Sequence, residues 1–499
     1  MKLNKYILEI VVFVCGAVVM IFELVGSRIL GPYLGTSIFV WTSLIGVILG
    51  SLSLGYYWGG KIADKRPNFE NLSLIIFISA ILIGLTTLTK DYWLISLQSS
   101  IMGSKIVSVL GSIILFSPAS ICLGMISPYA VKLKMDNLDT SASTVGNLYA
   151  ISTMGSIFGT FLAGFYLIPY FGTNKLLIIL LITLIIMSLI LSIKQFLKIK
   201  LFFLLIIIIG GLTMNVFSSV ILREVGFSNF IDTDTEYNRI WIYDHIDKTT
   251  GRLVKTMGIN NENHSSMFLD SDELVNEYTK YYNLAEHFNP NFKKALIFGG
   301  AGYSYPKSFL ERYKEATIDV VEIDPKVTEL ARLYFRLKDN RRLAIYHEDG
   351  RVYLNRTKEK YDAIFGDAFG SHYSIPYQLT TKEAVEKKYD ILNDNGVVIL
   401  NIISALEGEK SNFLQAEYLT YMSIFSQVYI FPVMETEDGN QVQNLILVAL
   451  KSDKIPTFTS KNDELNMHLG NLWKKPIETN FPILTDDFAP VDYYINMTI

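Results

Sequence analysis

Long apolar runs fill the first part of the chain, whereas short apolar stretches alternate with charged residues in the rest. The change comes after Leu222, where Arg223 follows the last long run. About 20 apolar residues are enough for a helix to cross the hydrocarbon core of a bilayer. We therefore predict a polytopic helical membrane domain over residues 1–222, with seven spans at Ile7–Leu30, Phe39–Gly59, Leu72–Leu88, Ile106–Ala130, Leu148–Tyr170, Leu176–Ile193 and Leu201–Leu222.

Composition agrees with a chain that lies partly in lipid. The 499 residues are 50% hydrophobic and their mean hydropathy is +0.30. The net charge is −4 and no basic tract is present, so the lipid bilayer is an expected partner and nucleic acid is not. Both cysteines, Cys15 and Cys122, fall in apolar runs, which leaves the second part of the chain without a thiol for disulfides, metal binding or nucleophilic catalysis.

After residue 222 the hydrophobic pattern changes to that of strands. In residues 223–285, "RIWIYD" and "LVKTM" predict a hairpin of a small antiparallel sheet, and "DELVNEYTKYYNLAEHF" predicts a helix. From residue 286 to 499, apolar strands such as "ALIFGG", "IDVVEID", "YDAIFGDA" and "GVVILNII" alternate with amphipathic helices. This alternation predicts an α/β domain of Rossmann-like, methyltransferase type, whose ligands bind beyond the carboxyl ends of the strands.

Acidic and glycine residues at three of these strand ends suggest a nucleoside site. The cluster Gly299, Gly300, Ala301, Gly302 follows the first strand and lacks both the P-loop ending and a full G-x-G-x-x-G. Glu322 ends the second strand, where a carboxylate can accept both ribose hydroxyls, and Asp349-Gly350 ends the third, where an acid can accept from an adenine amino group. The alternatives are an exposed charge at Glu322 and a helix cap at Asp349.

The fourth strand ends at Asp367, in "GDAFGSHYSIP". A carboxylate at this position suits amine chemistry, because an attacking ammonium must first lose a proton to a base. His372, Tyr373 and Tyr377 could line a cationic site by cation–π contacts. The alternative is that Asp367 only caps a loop.

Several motifs in this order resemble the spermidine synthases, polyamine aminopropyltransferases of methyltransferase-like fold: "DTEYNRIWIYD", the glycine turn, "VVEIDP", "EDGR" and "YDAIFGDAF". "ELVGSRILGPYLG" and "LTDDFAPVD" resemble the membrane-fused members, often described as fused to a major-facilitator-type domain. The resemblance implies that Asp367 is the catalytic base. It also implies a donor site at Gly299, Gly300, Ala301, Gly302, Glu322, Ile323, Asp349 and Gly350, and a substrate site at Asn238, His264, Tyr278, Tyr303, Tyr373, Tyr377, Asp486 and Asp487.

The chain departs from the family pattern where the soluble enzymes bind the amines. Gly302 stands where they have an aspartate for the donor's aminopropyl ammonium, and Gly370 stands where they have a second aspartate. Their Tyr-His-Glu appears as Tyr278-Thr279-Lys280, and their glutamine as Asn238. Each charged hydrogen bond contributes about 1.5 to 3 kcal/mol, so losing three carboxylates should weaken a di-ammonium ligand. Asp486 and Asp487 are candidates to replace them, with solvent-exposed turn residues as the alternative.

Three functions follow. The first is a membrane-anchored aminopropyltransferase that uses decarboxylated S-adenosylmethionine and an amine and releases methylthioadenosine, without a metal. The second is a transferase or lyase that uses intact S-adenosylmethionine, since Gly302 removes a carboxylate that would repel the carboxylate of this donor. The third is a nucleoside-sensing transporter. Soluble relatives form dimers or tetramers, but the departures leave homo-oligomerisation open.

The orientation in the membrane follows from the basic residues, which cluster on the side of the N-terminus: Lys2, Lys5, Lys61, Lys65, Arg66, Lys132, Lys134, Lys194, Lys198 and Lys200. The positive-inside rule puts that side in the cytoplasm, and seven spans would then export the second domain. Because the donor is made in the cytosol, we expect a multi-pass cell-membrane protein with a cytoplasmic catalytic domain. This expectation requires one re-entrant run or a further crossing at Tyr92–Ile101.

One pair of charges lies near the end of the first predicted span. Glu23 and Arg28 are five residues apart there. Charged residues within a span are functional candidates, and a mutual ion pair or snorkelling is the alternative.

Overall fold

The computed structural model describes residues 6–98, 103–135, 141–191, 228–260, 262–367, 375–434 and 438–495. The chain divides into two compact units. One, here called the helical unit, comprises Met1–Val225 with the short segment Thr233–Arg239; the other, the α/β unit, comprises Gly226–Asp232 and Ile240–Ile499.

Within the described residues, the helical unit contains six helices long and apolar enough to cross a membrane. They are α1 (Ile7–Leu34), α2 (Ile38–Lys65), α3 (Phe69–Gln98), α4 (Ser104–Lys134), α5 (Ser141–Tyr170, with a π-helical turn at Ala163–Leu167) and α6 (Thr173–Leu191). Three-residue connections join α1 to α2 and α2 to α3, so these helices are antiparallel.

The six helices coincide with the first six predicted spans. The seventh prediction, Leu201–Leu222, lies outside the described residues. The idea that Tyr92–Ile101 forms a separate crossing is wrong, because Tyr92–Gln98 continues α3 without a break. A single helix accommodates this stretch since the chain between Leu88 and Tyr92 contains no proline or glycine.

Glycines allow the helices of this unit to approach closely. A Cβ atom on Gly124 of α4 would lie 2.7 Å from the Leu52 carbonyl oxygen of α2, and one on Gly159 of α5 would lie 2.6 Å from the Ala17 carbonyl oxygen of α1. Small residues at such positions let helices associate in lipid by van der Waals packing. The small-residue run Gly155–Gly164 is therefore explained by packing, at least at Gly159.

The α/β unit begins with a four-stranded sheet in the order β1-β2-β3-β4. Its strands are β1 (Ser228–Asp234), β2 (Arg239–Ile246), β3 (Leu253–Ile259) and β4 (Glu262–Phe268). β2 and β3 pair antiparallel, which confirms the predicted hairpin. The helix predicted next is broken into α7 (Glu277–Lys280), a 3₁₀ turn (Tyr281–Asn283) and α8 (Leu284–Phe288).

The larger sheet has seven strands: β5 (Lys294–Phe298), β6 (Thr317–Val321), β7 (Leu343–Tyr346), β8 (Tyr361–Gly366), β9 (Leu392–Ser404), β10 (Gln427–Pro432) and β11 (Gln443–Leu450). Their order is β10-β11-β9-β8-β5-β6-β7. Strands β5 to β9 are parallel, and β11 pairs antiparallel with β9 and β10.

Helices alternate with these strands: α9 (Ser304–Arg312), α10 (Pro325–Tyr334), α11 (Gly350–Arg356), α12 (Lys382–Ile391), α13 (Asn412–Met422), α14 (Asp463–Gly470) and α15 (Val491–Ile495). Alternate residues of β5 enter different hydrophobic cores, Ala295 and Ile297 on one face and Leu296 and Phe298 on the other. A sheet buried on both faces is what the near-continuous apolar strands require. The predicted fold class, a helical membrane-type region followed by a Rossmann-like α/β domain, is confirmed.

Candidate active site

The register of the parallel strands brings the predicted acidic residues to one edge of the large sheet. Phe298 of β5 pairs with Val321 of β6 and with Gly366 of β8. The next residue in each strand is Gly299, Glu322 or Asp367, so these three lie side by side beyond the carboxyl ends. This edge is where open α/β sheets bind ligands.

The glycine turn after β5 has an unusual backbone. Gly299, Ala301 and Tyr303 have φ angles of 93°, 43° and 54°. Positive φ values are rare for residues with side chains, and their clustering at functional sites is common. The Tyr303 ring lies beneath the turn, since a Cβ on Gly300 would approach it to 2.7 Å.

Glu322 fixes this turn. Its Oε2 atom accepts hydrogen bonds from the backbone N–H groups of Gly300 (2.8 Å) and Ala301 (3.3 Å), and its Oε1 atom accepts from the N–H of Asp324 (3.0 Å). Burial raises the pKa of this carboxyl, and the three backbone bonds oppose that rise. A carboxylate has about four lone-pair sites, so about one remains for a ligand hydroxyl. The alternative of an exposed charge does not apply, because Glu322 is buried.

Asp349 caps the following helix. Its Oδ1 atom accepts from the N–H groups of Arg351 (2.8 Å) and Val352 (3.0 Å) at the start of α11, while Nε2 of Gln378 lies 3.4 Å from Oδ2. The capping alternative is therefore observed. Among the described residues this long contact is the hydrogen bond of the Oδ2 atom, and the adenine role stays a prediction.

Asp367 directly follows β8 and is half-buried. Its backbone N–H donates to the Phe298 carbonyl oxygen at 3.0 Å, and its carboxylate accepts hydrogen bonds from side chains. Tyr278 donates its hydroxyl to Oδ2 at 3.1 Å, and Asn401 donates its Nδ2 group to Oδ1 at 3.3 Å. Both distances exceed the 2.7–2.9 Å usual for hydrogen bonds to a carboxylate. Burial raises the pKa of Asp367 to about 6, and the bonds from Asn401 and Tyr278 lower it. A base with a pKa near neutrality is suited to proton transfer.

Of the predicted substrate residues that the structure describes on the α/β unit, Tyr278 is the one with a hydrogen bond to Asp367. Tyr303 is fully buried and its hydroxyl bonds to that of Thr328 at 2.7 Å, so it supports the turn from below. His264 is half-buried on β4, next to Ser265, whose hydroxyl lies 2.9 Å from that of Ser304 in α9. Tyr377 is 53% exposed, as is, to 37%, Ile323 of the predicted donor site.

Two further predicted substrate residues, Asp486 and Asp487, lie in the late loop of the α/β unit. The Asp486 carboxylate forms a bidentate ion pair with Arg351, at 3.1 and 2.6 Å, and accepts from the Thr381 hydroxyl at 2.7 Å. Its charge is thus balanced by an arginine, whereas Asp487 is exposed. Asn238 belongs to the helical unit, and Gly370, His372 and Tyr373 lie outside the described residues.

Two asparagines near Asp367 escaped the sequence analysis. Asn401 lies near the carboxyl end of β9 and is buried, and its Oδ1 atom accepts a hydrogen bond of 3.0 Å from Nδ2 of Asn444 on β11. The sequence does contain a signal for Asn401, because this residue is the one polar side chain in the apolar run "GVVILNII". A polar residue inside a buried strand usually has a hydrogen-bond partner there.

A comparison with known proteins finds a similarity in the α/β unit. Residues 278–485 match the family model of the spermine/spermidine synthase domain. This domain includes Glu322, Asp349, Asp367 and both asparagines. Within the residues that the structure describes, no group of three His, Cys, Asp or Glu residues is arranged to hold a metal ion.

Relatives of the synthase domain cover only part of the chain. A polyamine aminopropyltransferase of Vibrio vulnificus is 35% identical over 170 residues, which are 34% of this chain and 54% of the relative. One of Agathobacter rectalis is 28% identical over 193 residues, 38% of this chain and 62% of the relative. The chain thus spans about half of the length of the relatives it matches.

Similar solved structures include a probable spermidine synthase from Corynebacterium glutamicum, with 21% identity, a TM-score of 0.39 and coverage of 48% of this chain and 83% of that one. The spermidine synthase of Thermotoga maritima has 19% identity, a TM-score of 0.34 and coverage of 44% and 72%.

Proposed function

We propose that the α/β unit is an aminopropyltransferase, which moves the aminopropyl group of decarboxylated S-adenosylmethionine to an amine acceptor. The observation that carries this proposal is the half-buried carboxylate of Asp367 beside the glycine turn and Glu322. The match of residues 278–485 to the spermine/spermidine synthase domain supports it. Glu322 would accept from the ribose, Oδ2 of Asp349 from the adenine amino group, and Asp367 would act on the acceptor.

The reaction places one demand on the protein. The acceptor nitrogen must be uncharged when its lone pair forms a bond to the propyl carbon. The bond from that carbon to the sulfonium sulfur then breaks, its electron pair stays on sulfur, and methylthioadenosine leaves. Asp367 takes the proton of the acceptor ammonium, and positioning of the two reactants supplies the rest.

Mass spectrometry tests the proposal. The full-length protein in detergent would be incubated with decarboxylated or intact S-adenosylmethionine and a panel of amines, with Asp367→Asn as the control. Methylthioadenosine together with an aminopropylated amine, formed only from the decarboxylated donor and lost in the variant, is the expected result. Turnover that persists in Asp367→Asn would contradict the assigned base.

A second candidate, a transferase or lyase that uses intact S-adenosylmethionine, is favoured by the packing at Gly302. A Cβ at this position would lie 2.7 Å from Oγ of Ser265 and 2.8 Å from Cδ1 of Phe335, which is fully buried. The space that an acidic side chain would need is therefore filled. A donor with its own carboxylate would meet no acid at residue 302, and turnover of the intact donor alone in the same experiment would select this candidate.

The side of the membrane decides which donor pool the site can use. We propose that the chain leaves the helical unit on the non-cytoplasmic side, the reverse of the placement expected from the cytosolic origin of the donor.

The two ends of the helical unit differ in charge. At one end Lys132 pairs with Asp64 at 2.8 Å, and Lys134 pairs with Glu9 near the N-terminus. This lysine-rich end is the cytoplasmic one by the positive-inside rule.

The segment Thr233–Arg239, which belongs to the helical unit, contacts the opposite end. Arg28, near the end of α1, donates to the carbonyl oxygens of Thr235 and Glu236. Asp91, near the end of α3, lies 3.4 Å from Arg239. These contacts give Arg28 a role in holding this segment at the end of the helical unit opposite to the lysine-rich one.

Cysteine labelling would decide the orientation. Cys15 is buried and Cys122 is half-buried, so both can be replaced and single cysteines introduced at exposed positions, with Lys454→Cys on the α/β unit and Lys65→Cys on the lysine-rich end. Labelling of the first but not the second by an impermeant maleimide in intact cells is expected. Labelling of Lys454→Cys only after permeabilisation would restore the cytoplasmic placement. An exported site without turnover would favour the nucleoside-sensing transporter.

A further inference from the structure

Asp367 is the last member of a chain of three hydrogen-bonded side chains. The other two, Asn401 and Asn444, lie on the neighbouring strands β9 and β11. Asn444 on β11 donates to Oδ1 of Asn401 on β9 at 3.0 Å, and Asn401 donates through Nδ2 to Oδ1 of Asp367 at 3.3 Å. Strands β11 and β9 are paired, with Asn444 opposite Ile403 and Ile446 opposite Asn401. The two amides therefore have fixed positions at the carboxyl edge of the sheet.

The direction of this chain is set by its outer member. An asparagine amide can present either its oxygen or its NH₂ group to a neighbour. Because Nδ2 of Asn444 occupies the oxygen of Asn401, the NH₂ group of Asn401 is the one that faces Asp367. The opposite rotamer would bring the amide oxygen of Asn401 against the carboxylate and two NH₂ groups together.

We propose that Asn401 and Asn444 form an amide relay whose role is to position Asp367 and to present a hydrogen-bond donor to its carboxylate. The inference rests on the proposed function, in which Asp367 acts as the base. Neither asparagine titrates, so the relay keeps its polarity at every pH at which the domain is folded. Both are positioning residues, since they act through Asp367.

Among the described residues, the other side chains that affect the pKa of Asp367 are two tyrosines. Tyr278 on α7 donates to Oδ2, and Tyr282 on the adjacent 3₁₀ turn is close enough to lower the pKa of Asp367, although its hydroxyl has no hydrogen-bond partner among the described residues. Burial raises the pKa of both tyrosines well above the usual value, so they stay protonated. Within the described region, the acid limb of the pH profile should then report on Asp367 and its relay.

The test compares pH profiles of kcat/KM. Asn401→Leu removes the donor, and the acid limb should move upward by about one pH unit, because a hydrogen bond to a charged group is lost. Asn444→Asp should give a similar shift, since a carboxylate at this position accepts from Nδ2 of Asn401 and turns its amide oxygen toward Asp367. Asn393→Leu is the matched control, because Asn393 donates to Asp362 at 2.7 Å at the opposite edge of the sheet. It should leave the limb in place.

A double variant separates the relay from simple charge repulsion. In the Asn401→Leu background, Asn444→Asp should add no further shift if it acts through the amide of Asn401. A full additional shift would mean that the new carboxylate acts directly on Asp367 and would overturn the relay, as would an unchanged limb in Asn401→Leu.

The relay can also be tested if the proposed function fails. If the wild-type protein turns over no donor, the carboxyl resonance of Asp367 can be followed by ¹³C NMR in aspartate-labelled protein and assigned by its loss in Asp367→Asn. The same upward shifts of its titration in Asn401→Leu and Asn444→Asp would support the relay. Unchanged titration would refute it independently of any activity.

Discussion

Two carboxylates lie next to each other at the edge of the large sheet, yet their surroundings differ. Glu322 is buried and accepts three backbone N–H bonds, two of them from the glycine turn. Asp367 is half-buried and its carboxylate accepts from two side chains, Tyr278 at 3.1 Å and Asn401 at 3.3 Å. Backbone donors cannot rotate away, whereas side-chain donors can. Glu322 is therefore part of the framework of the glycine turn, and the carboxylate of Asp367 is held less rigidly.

The largest effect should follow substitution of Asp367. Asp367→Asn keeps the size of the side chain and removes the base, so turnover should fall by about 10² to 10⁴, the usual contribution of general base catalysis. Product formation by mass spectrometry measures the loss. A decrease of less than threefold would show that another group takes the proton.

Substitution of Glu322 should instead unfold the turn. Glu322→Ala leaves three backbone N–H groups without their acceptor, and each buried unsatisfied donor costs about 1 to 3 kcal/mol. The free energy of unfolding should fall by at least about 3 kcal/mol, and binding of methylthioadenosine should be lost. Chemical denaturation and calorimetry would measure the two changes, with Glu322→Gln as the milder variant. If Glu322→Ala had the same free energy of unfolding as the wild type, Glu322 would not be needed to hold the glycine turn.

Burial raises the pKa of both carboxylates, and the effect of pH on stability can be isolated at Asp367 by substitution. The pKa of Asp367 is raised from 3.8 to about 6, so its protonated form is favoured in the folded state. Ionisation at pH above 6 then costs stability, by up to ~3 kcal/mol at 1.36 kcal/mol per unit of pKa, and this cost is absent below pH 4. Asp367→Asn should be more stable than the wild type at pH 7 to 8 and similar to it at pH 4.

Thermal unfolding of both proteins across this pH range provides the measurement. The activity of the wild type should rise with pH up to about 6 and then level off, because the base must be ionised. An identical pH dependence of stability in the two proteins would mean that Asp367 does not titrate in this range.

A smaller effect is expected at Gly302, on the far side of the turn. Gly302→Ala forces Ser265 and Phe335 to move, and overpacking of this kind costs about 1 to 3 kcal/mol. Phe335→Leu should recover part of the loss in the double variant. Equal stability of Gly302→Ala and the wild type, measured by denaturant unfolding, would show that the site is looser than the structure indicates.

The strand ends could be located from the sequence because each follows an apolar run that can only be a buried strand. Gly299, Glu322 and Asp367 were found in this way. The hydrophobic pattern does not predict which groups the side chain of each residue contacts. Glu322 was expected to face only a ribose, but it also holds the turn, and Tyr303 was expected to contact substrate, but it supports the turn from below.

The polar contacts between strands were equally hidden. Asn401 and Asn444 are 43 residues apart in the sequence and meet only because β11 pairs with β9. The same holds for Asp486 and Arg351, whose ion pair joins the late loop to α11. A sequence records which residue types are unusual in a strand, but pairing partners depend on the order of strands in the sheet.

The contact between Gly302 and Phe335 has a consequence for any attempt to redesign this turn. With the aromatic ring in place, the Cβ of an aspartate at residue 302 would meet atoms at 2.7 and 2.8 Å. An acid can be accommodated there once residue 335 is smaller and Ser265 has moved. Residues 302 and 335 therefore form a dependent pair, in which Phe335 has to be replaced before Gly302.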